Sequence, residues 1–280
     1  MNYIYCDTCV LLNLATDIKL HDIIIRLLEL NEEGKIKIIV SDVVLKELTD
    51  HKETIVAKRI SSYNGHLKNI KNLYELFSPE TEEILKKEIQ AIQSNLPEME
   101  DILNKNLTEL VKLISTSTQI SFTEVHKSNV VNRAINKTFP FHRNKNSIKD
   151  ALIAETFIEF IGNIPHDCEK IYFVTDNTDD FSDVSNKQLP HKDWANIFNE
   201  TIIYSTNIAS VINSVNPNTI DEEIVEEIKE KNTHSCSDNS SHIFDTENGF
   251  WKNSMYGGGL SWHYRCTKCG ITYDTGDYWD

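Results

Sequence analysis

"YIYCDTCVLL", residues 3–12, is an apolar run with a single carboxylate, Asp7, in its middle and a cysteine two places along on one side and adjacent on the other. Tyr3 to Cys6 read as a short strand covered on both faces, because they are apolar or aromatic without alternation. A charge at the end of such a strand is costly unless it neutralises or meets a cation, so Asp7 asks for a functional explanation. Cys6 and Cys9 have the C-x-x-C spacing of a metal or redox site. Thiol–disulfide exchange there would need a stabilised thiolate, which a neighbouring carboxylate opposes. Asp7 is therefore read as the chemical residue and the two cysteines as small packing groups.

Working outward, an amphipathic stretch from about Asp17 to Glu33 reads as a helix stopped by Gly34. "KIKIIVS" is a second strand, and Ser41 is a suitable N-cap for a helix running through Val43, Val44 and Leu48. Residues 81–113 are helical and charged, with an interruption expected at Pro97. "NSIKDALIAETFIEFIG" is a helix capped by Ser147, "KIYFVT" a strand ending at Thr175, and "TIIYS" a further strand. Strands separated by helices predict an α/β fold, a parallel sheet flanked by helices. The predicted organisation is a main domain over 1–213 with a helical insertion at about 80–130, an acidic helical linker over 214–233, and a small module over 234–280. Six of nine glycines and three of four tryptophans lie beyond residue 248, which marks that last boundary.

The chain has 280 residues, 40% hydrophobic and 25% charged, an ordinary globular composition. It has no apolar run long enough to span a membrane and no signal peptide, so a cytoplasmic location is expected. A net charge of −15 argues against a protein that merely coats nucleic acid. It leaves room for a nuclease, whose active site concentrates acids while a local basic strip guides substrate. Residues 121–150 form such a strip, with Lys127, Arg133, Lys137, Arg143, Lys145 and Lys149 against Glu124 and Asp150.

Ligands bind beyond the carboxyl ends of parallel strands, and four acidic segments are predicted at that edge. Asp7 follows the first strand, Glu47 lies early in the helix after the second, Asp150 opens the Ser147 helix, and Asp176 and Asp180 follow "IYFVT". Taken singly, Asp150 fits an S-x-x-D helix start, Glu47 a solvated helix face, and the later acids an ordinary turn. Taken together, they are the oxygen-rich donor set that Mg²⁺ or Mn²⁺ prefers.

"YIYCDTCVLL", "VVLKEL", "KDALIAETF" and "YFVTDNTDDF" together resemble the four motifs of PIN-domain nucleases, in that family's order. The segment "RAINKTFPFHRNKNSIKDALI" is similar to the larger bacterial PIN-like proteins and not to the compact toxin ribonucleases. The resemblance covers about residues 1–205 and implies a metal-dependent nuclease in which Asp7, Glu47 and Asp150 are the principal acids. At the family's fourth acidic position this chain has Asn177, so the charge there is expected from Asp176 or Asp180. On that basis Asp7 binds the tighter Mg²⁺ or Mn²⁺ with Glu47 and Asp150. Asp180 and Asn177 serve a weaker ion or the attacking water, while Arg133, Arg143 and Lys149 contact phosphate. Thr8 and Thr175 orient the carboxylates.

"HYRCTKCGITYDT" has the form of a zinc knuckle. The expected structural Zn²⁺ set is Cys236, His242, Cys266 and Cys269, with His234 as the alternative to His242. The resulting expectation is a metal-dependent endonuclease acting on RNA, of toxin, phage-defence or RNA-processing type. The alternatives are a single-stranded DNA nuclease, or a catalytically weak scaffold binding nucleic acid or protein through the zinc module or the helical insertion. A homodimer is compatible with either reading.

Overall fold

The computed structural model describes residues 1–141, 147–183, 186–233, 244–253, 260–266 and 272–279; beyond residue 229, side chains are described only for 249–251 and 262–266. The chain divides into two compact units, Met1–Lys229 and Glu230–Asp280.

The first unit begins with β1 (Asn2–Cys6), α1 (Thr8–Thr16) and α2 (His21–Glu32), then β2 (Ile36–Ser41), α3 (Asp42–His51) and α4 (Ile55–Asn72). It continues through α5 (Pro79–Ser115), β3 (Thr118–Ile120), α6 (Glu124–Asn136), α7 (Ile148–Gly162) and β4 (Lys170–Val174). The short α8 (Thr178–Phe181), β5 (Ile202–Ser205), α9 (Ile208–Val215) and the start of α10 (Glu222–Thr233) complete it. Five strands form a parallel sheet in the order β3-β2-β1-β4-β5. The pairing of Cys6 with Val174 and of Ser41 with Ile120 brings the strand ends to one edge. Every residue of β1 is buried, as the apolar run Tyr3–Cys6 requires of a central strand covered by helices on both faces.

Three helical expectations need correction. The helix expected over Asp17–Glu33 is present as α2 but starts at His21, and an unanticipated α1 precedes it from Thr8; its Val10, Leu11, Leu14 and Ala15 are buried in the core, which removes the polar face that marks a surface helix. Pro97 does not interrupt α5, which is continuous over 37 residues. Pro97 is exposed, so the carbonyl its missing N–H leaves free can turn to water. Ser147 makes no side-chain cap on α7, and its hydroxyl is buried with no hydrogen-bond partner among the described residues.

The expected insertion is partly core: β3 pairs with β2, and Leu110, Leu113 and Ile114 of α5 join the main cluster. Buried Asn106 ties α5 to the end of α1, donating to the Leu14 and Asp17 carbonyls at 3.4 and 3.3 Å and meeting His21 Nδ1 at 2.7 Å. Leu67, Ile89 and Leu96 form a separate cluster between α4 and α5. The acidic stretch read as a linker likewise packs into the first unit through Ile220, Val225 and Ile228. Behind β4 and β5, an aromatic group centred on Trp194 holds Phe139, Phe157, Phe173, Phe181 and Phe198, with the Trp194 N–H donating to the Phe181 carbonyl at 3.2 Å. This packing fixes the loop that follows β4, because Phe181 is its last helical residue.

The second unit contains an antiparallel sheet of β6 (Phe244–Asn253), β7 (Leu260–Cys266) and β8 (Thr272–Trp279), in that order. Trp251 and Trp262 pair edge to face with ring centroids 5.0 Å apart, and Phe250 stacks on His263. Cys266 is buried at the end of β7. The expected zinc ligands Cys236, His242 and Cys269, and the alternative His234, lie outside the described residues. Among the described residues, no helix is long and apolar enough to cross a membrane.

Candidate active site

Asp7 directly follows β1 and caps α1, accepting the Thr8 N–H at 2.6 Å through Oδ1. Its Oδ2 accepts from Thr175 Oγ1 at 2.6 Å and from Cys9 Sγ at 3.0 Å. The side chain is only 3% exposed, and burial holds its carboxyl above the ordinary carboxylate range despite those three bonds. All three donors are neutral, so the charge of Asp7 is solvated by protein dipoles and not by a protein cation.

From Asp7 the hydrogen bonds run in both directions along the sheet edge. Toward β2, Thr8 Oγ1 donates to Glu47 Oε2 at 2.6 Å, and Lys149 Nζ sits 2.6 Å from Glu47 Oε1. Glu47 is one turn into α3, whose start is fixed by Ser41 Oγ accepting the Val44 N–H at 3.4 Å. Toward β4, Thr175 Oγ1 accepts the Asn177 N–H at 3.0 Å. The Asn177 amide then donates to Asp180 Oδ2 at 2.7 Å and to Asp150 Oδ1 at 3.3 Å. Asp180 is fully buried. One network thus links Glu47, Asp7, Asp150 and Asp180 through Thr8, Thr175 and Asn177, and Thr8 and Thr175 sit where orienting groups were expected.

Asp176 faces a different partner, accepting from Asn13 Nδ2 at 2.6 Å, while its own N–H donates to Cys9 Sγ at 3.2 Å. The pattern alone gave no weight to Asn13; its place in the second turn of a helix that begins at Thr8 is the signal that would have found it. Arg133 is not brought to the acids. Its guanidinium pairs with buried Glu155 and donates to the Phe139 carbonyl at 3.0 Å, since a carboxylate inside the apolar run "LIAETFI" needs a cation. Arg143 lies outside the described residues.

The two N-terminal cysteines do not form a redox pair. Burial, with Asp7 and Asp176 adding repulsion, pushes the Cys6 thiol up to about 12 and the Cys9 thiol well above its usual value, so neither is a thiolate nucleophile at neutral pH. Cys9 instead serves as a weak donor to Asp7.

The donor chemistry fits a hard cation, because the network is built of carboxylate oxygens and buried Asp7 within it accepts only from neutral donors. Among the described residues, no three His, Cys, Asp or Glu side chains already converge as a cage; the threonines and Asn177 stand between them. Asp7, Glu47, Asp150 and Asp180 are the residues that would hold Mg²⁺ or Mn²⁺.

No curated protein and no solved structure matches the chain. A sequence profile of the PIN domain matches residues 4–181, a span that starts within β1 and closes on Phe181, and so takes in every acid of the network. With a five-stranded parallel sheet and these acids at its carboxyl edge, the chain belongs to the PIN-domain family, a family of nucleases.

Proposed function

We propose that this protein is a Mg²⁺- or Mn²⁺-dependent endonuclease that hydrolyses phosphodiester bonds in RNA. The observation that carries the reading is the continuous network from Glu47 through Asp7 to Asp150 and Asp180, whose acids come from four segments: α3, the end of β1, α7 and α8. When bound among these acids, Mg²⁺ or Mn²⁺ would supply a Lewis acid for the phosphate and a more acidic water. Asp7 would hold the tighter cation, with its orientation set by Thr175 and Cys9; Glu47 and Asp150 would complete that shell. Asn177 holds Asp180 beside Asp150 for the weaker ion or the attacking water. Lys149, exposed at the rim, would contact phosphate. RNA is assigned on the family likeness, and nucleic acid as the partner follows from it.

The test is incubation with labelled RNA and single-stranded DNA in Mn²⁺ or EDTA, using the wild type and Asp7→Asn. RNA cleavage by the wild type in Mn²⁺ alone is expected, and none by the variant; a variant that still cuts sinks the assignment. A second reading, a catalytically weak nucleic-acid-binding scaffold, draws on the Asn177 amide standing between Asp150 and Asp180. Binding of RNA without cleavage in Mn²⁺ would select it.

For the second unit, the C-x-x-C-G after β7 supports a structural Zn²⁺ on Cys266, Cys269, Cys236 and His242 or His234. Elemental analysis of unchelated protein is expected to find about one zinc per chain; a value near zero removes the site.

A further inference from the structure

We propose that Lys149 is a built-in competitor for the cation at Glu47, and that a substrate phosphate draws it away, so that nucleic-acid binding and metal binding reinforce each other. The proposal rests on the phosphodiesterase reading above and adds an order of events to it.

Both oxygens of Glu47 are engaged, but unequally. Oε2 takes the Thr8 hydroxyl and Oε1 the Lys149 ammonium, each at 2.6 Å. Thr8 is buried, neutral and fixed at the first position of α1, so its bond orients the carboxylate without opposing a cation. Lys149 is a mobile point charge on a side chain that is 64% exposed, against 18% for Glu47. Asp50 and Asp150 add their negative field at the same ammonium, so it occupies a place that carboxylates surround from α3 and α7. An ammonium 2.6 Å from Oε1 repels a divalent cation that approaches the same carboxylate and so weakens its binding there.

Such a pair is easily exchanged. Exposed ion pairs are worth little, roughly a fivefold factor in a binding constant. A phosphate oxygen offers Lys149 an equal or better partner, because charge-assisted bonds to phosphate are among the stronger ones in water. Lys149 is adjacent to Asp150 in the chain, so the phosphate that captures it is held at the carboxylate edge where cleavage would occur. Removing the lysine from Glu47 frees Oε1 for the cation; by linkage, the cation must then strengthen phosphate binding by the same factor. The protein would carry its full metal complement only when substrate is present.

The experiment is a Mn²⁺ titration followed by electron paramagnetic resonance, with and without a 2′-O-methyl phosphorothioate oligonucleotide that resists cleavage. Wild type, Lys149→Met and Lys46→Met are compared; exposed Lys46 neighbours Glu47 in the chain and controls for the loss of one positive charge. Without oligonucleotide, Lys149→Met is expected to bind Mn²⁺ about fivefold more tightly than the wild type. The oligonucleotide is expected to tighten Mn²⁺ binding in the wild type and in Lys46→Met by a similar factor, and to leave Lys149→Met unchanged. Equal affinities of wild type and Lys149→Met without oligonucleotide overturn the gate, as does coupling that persists in Lys149→Met. A wild type that binds no Mn²⁺ in either condition overturns the phosphodiesterase reading and the gate with it, whereas the first two failures leave that reading standing.

Discussion

Asp7 and Glu47 share Thr8, which gives its backbone N–H to one and its hydroxyl to the other, but the two acids live under opposite conditions. Asp7 is buried, held by neutral dipoles, and destabilised as an anion. Glu47 lies at the rim and already has an ammonium beside it. The difference teaches that adjacency in a network does not equalise its members: burial makes Asp7 the acid that demands a cation, while the exposure of its partner Lys149 makes Glu47 the one that can trade cations.

The sharpest way to break this contrast is Asp7→Asn, which should abolish cleavage and still raise the melting temperature in EDTA by a few degrees. The sign follows from proton linkage. Burial raises the Asp7 carboxyl, so its contribution to stability is fully present below the unfolded carboxylate value of about 3.9 and is lost as pH rises through the folded value. The stability gap between variant and wild type should therefore widen with rising pH and close in acid, as thermal scans across that range would reveal. A wild type that melts higher than the variant in EDTA at neutral pH would contradict the account.

A smaller effect is expected from Asn177→Asp, which replaces the amide donated to Asp150 and Asp180 by a third carboxylate. Loss of those bonds and the added repulsion should destabilise the chain by about 1–3 kcal/mol in EDTA. Mn²⁺ should restore more stability to the variant than it adds to the wild type, a difference readable by paired melting curves. Thr8→Val is the mildest test. It deletes the hydroxyl that orients Glu47 while retaining shape and the capping N–H, so kcat should fall by about 10–100-fold with little change in melting temperature.

The central strand and its terminal acid were legible because a buried β-run tolerates no idle charge, and Glu47 and Asp150 were legible as helix-borne acids next to strand ends. What escaped was whatever packing, not pattern, decides. α1 has no polar stripe because its sides are buried, so "TCVLLNLAT" resembled an extension of the apolar run. Arg133 belonged to a basic strip by composition, yet Glu155 claims it inside the α6–α7 interface. Asn106 gave no signal at all, since a single buried amide that closes off another helix depends on a contact 92 residues away. Lys149 was expected to meet phosphate; that it also neutralises Glu47 needed the juxtaposition of α3 and α7.

The position of Asp7 as both strand end and N-cap has a consequence for how this chain can change over time. Asparagine caps a helix as well as aspartate does, and the codons of the two differ by one base. On the proposed assignment, a single transition would therefore remove the cation-binding acid while sparing the architecture, so a lineage carrying this fold would stand one step from a copy that keeps the binding surface without the chemistry.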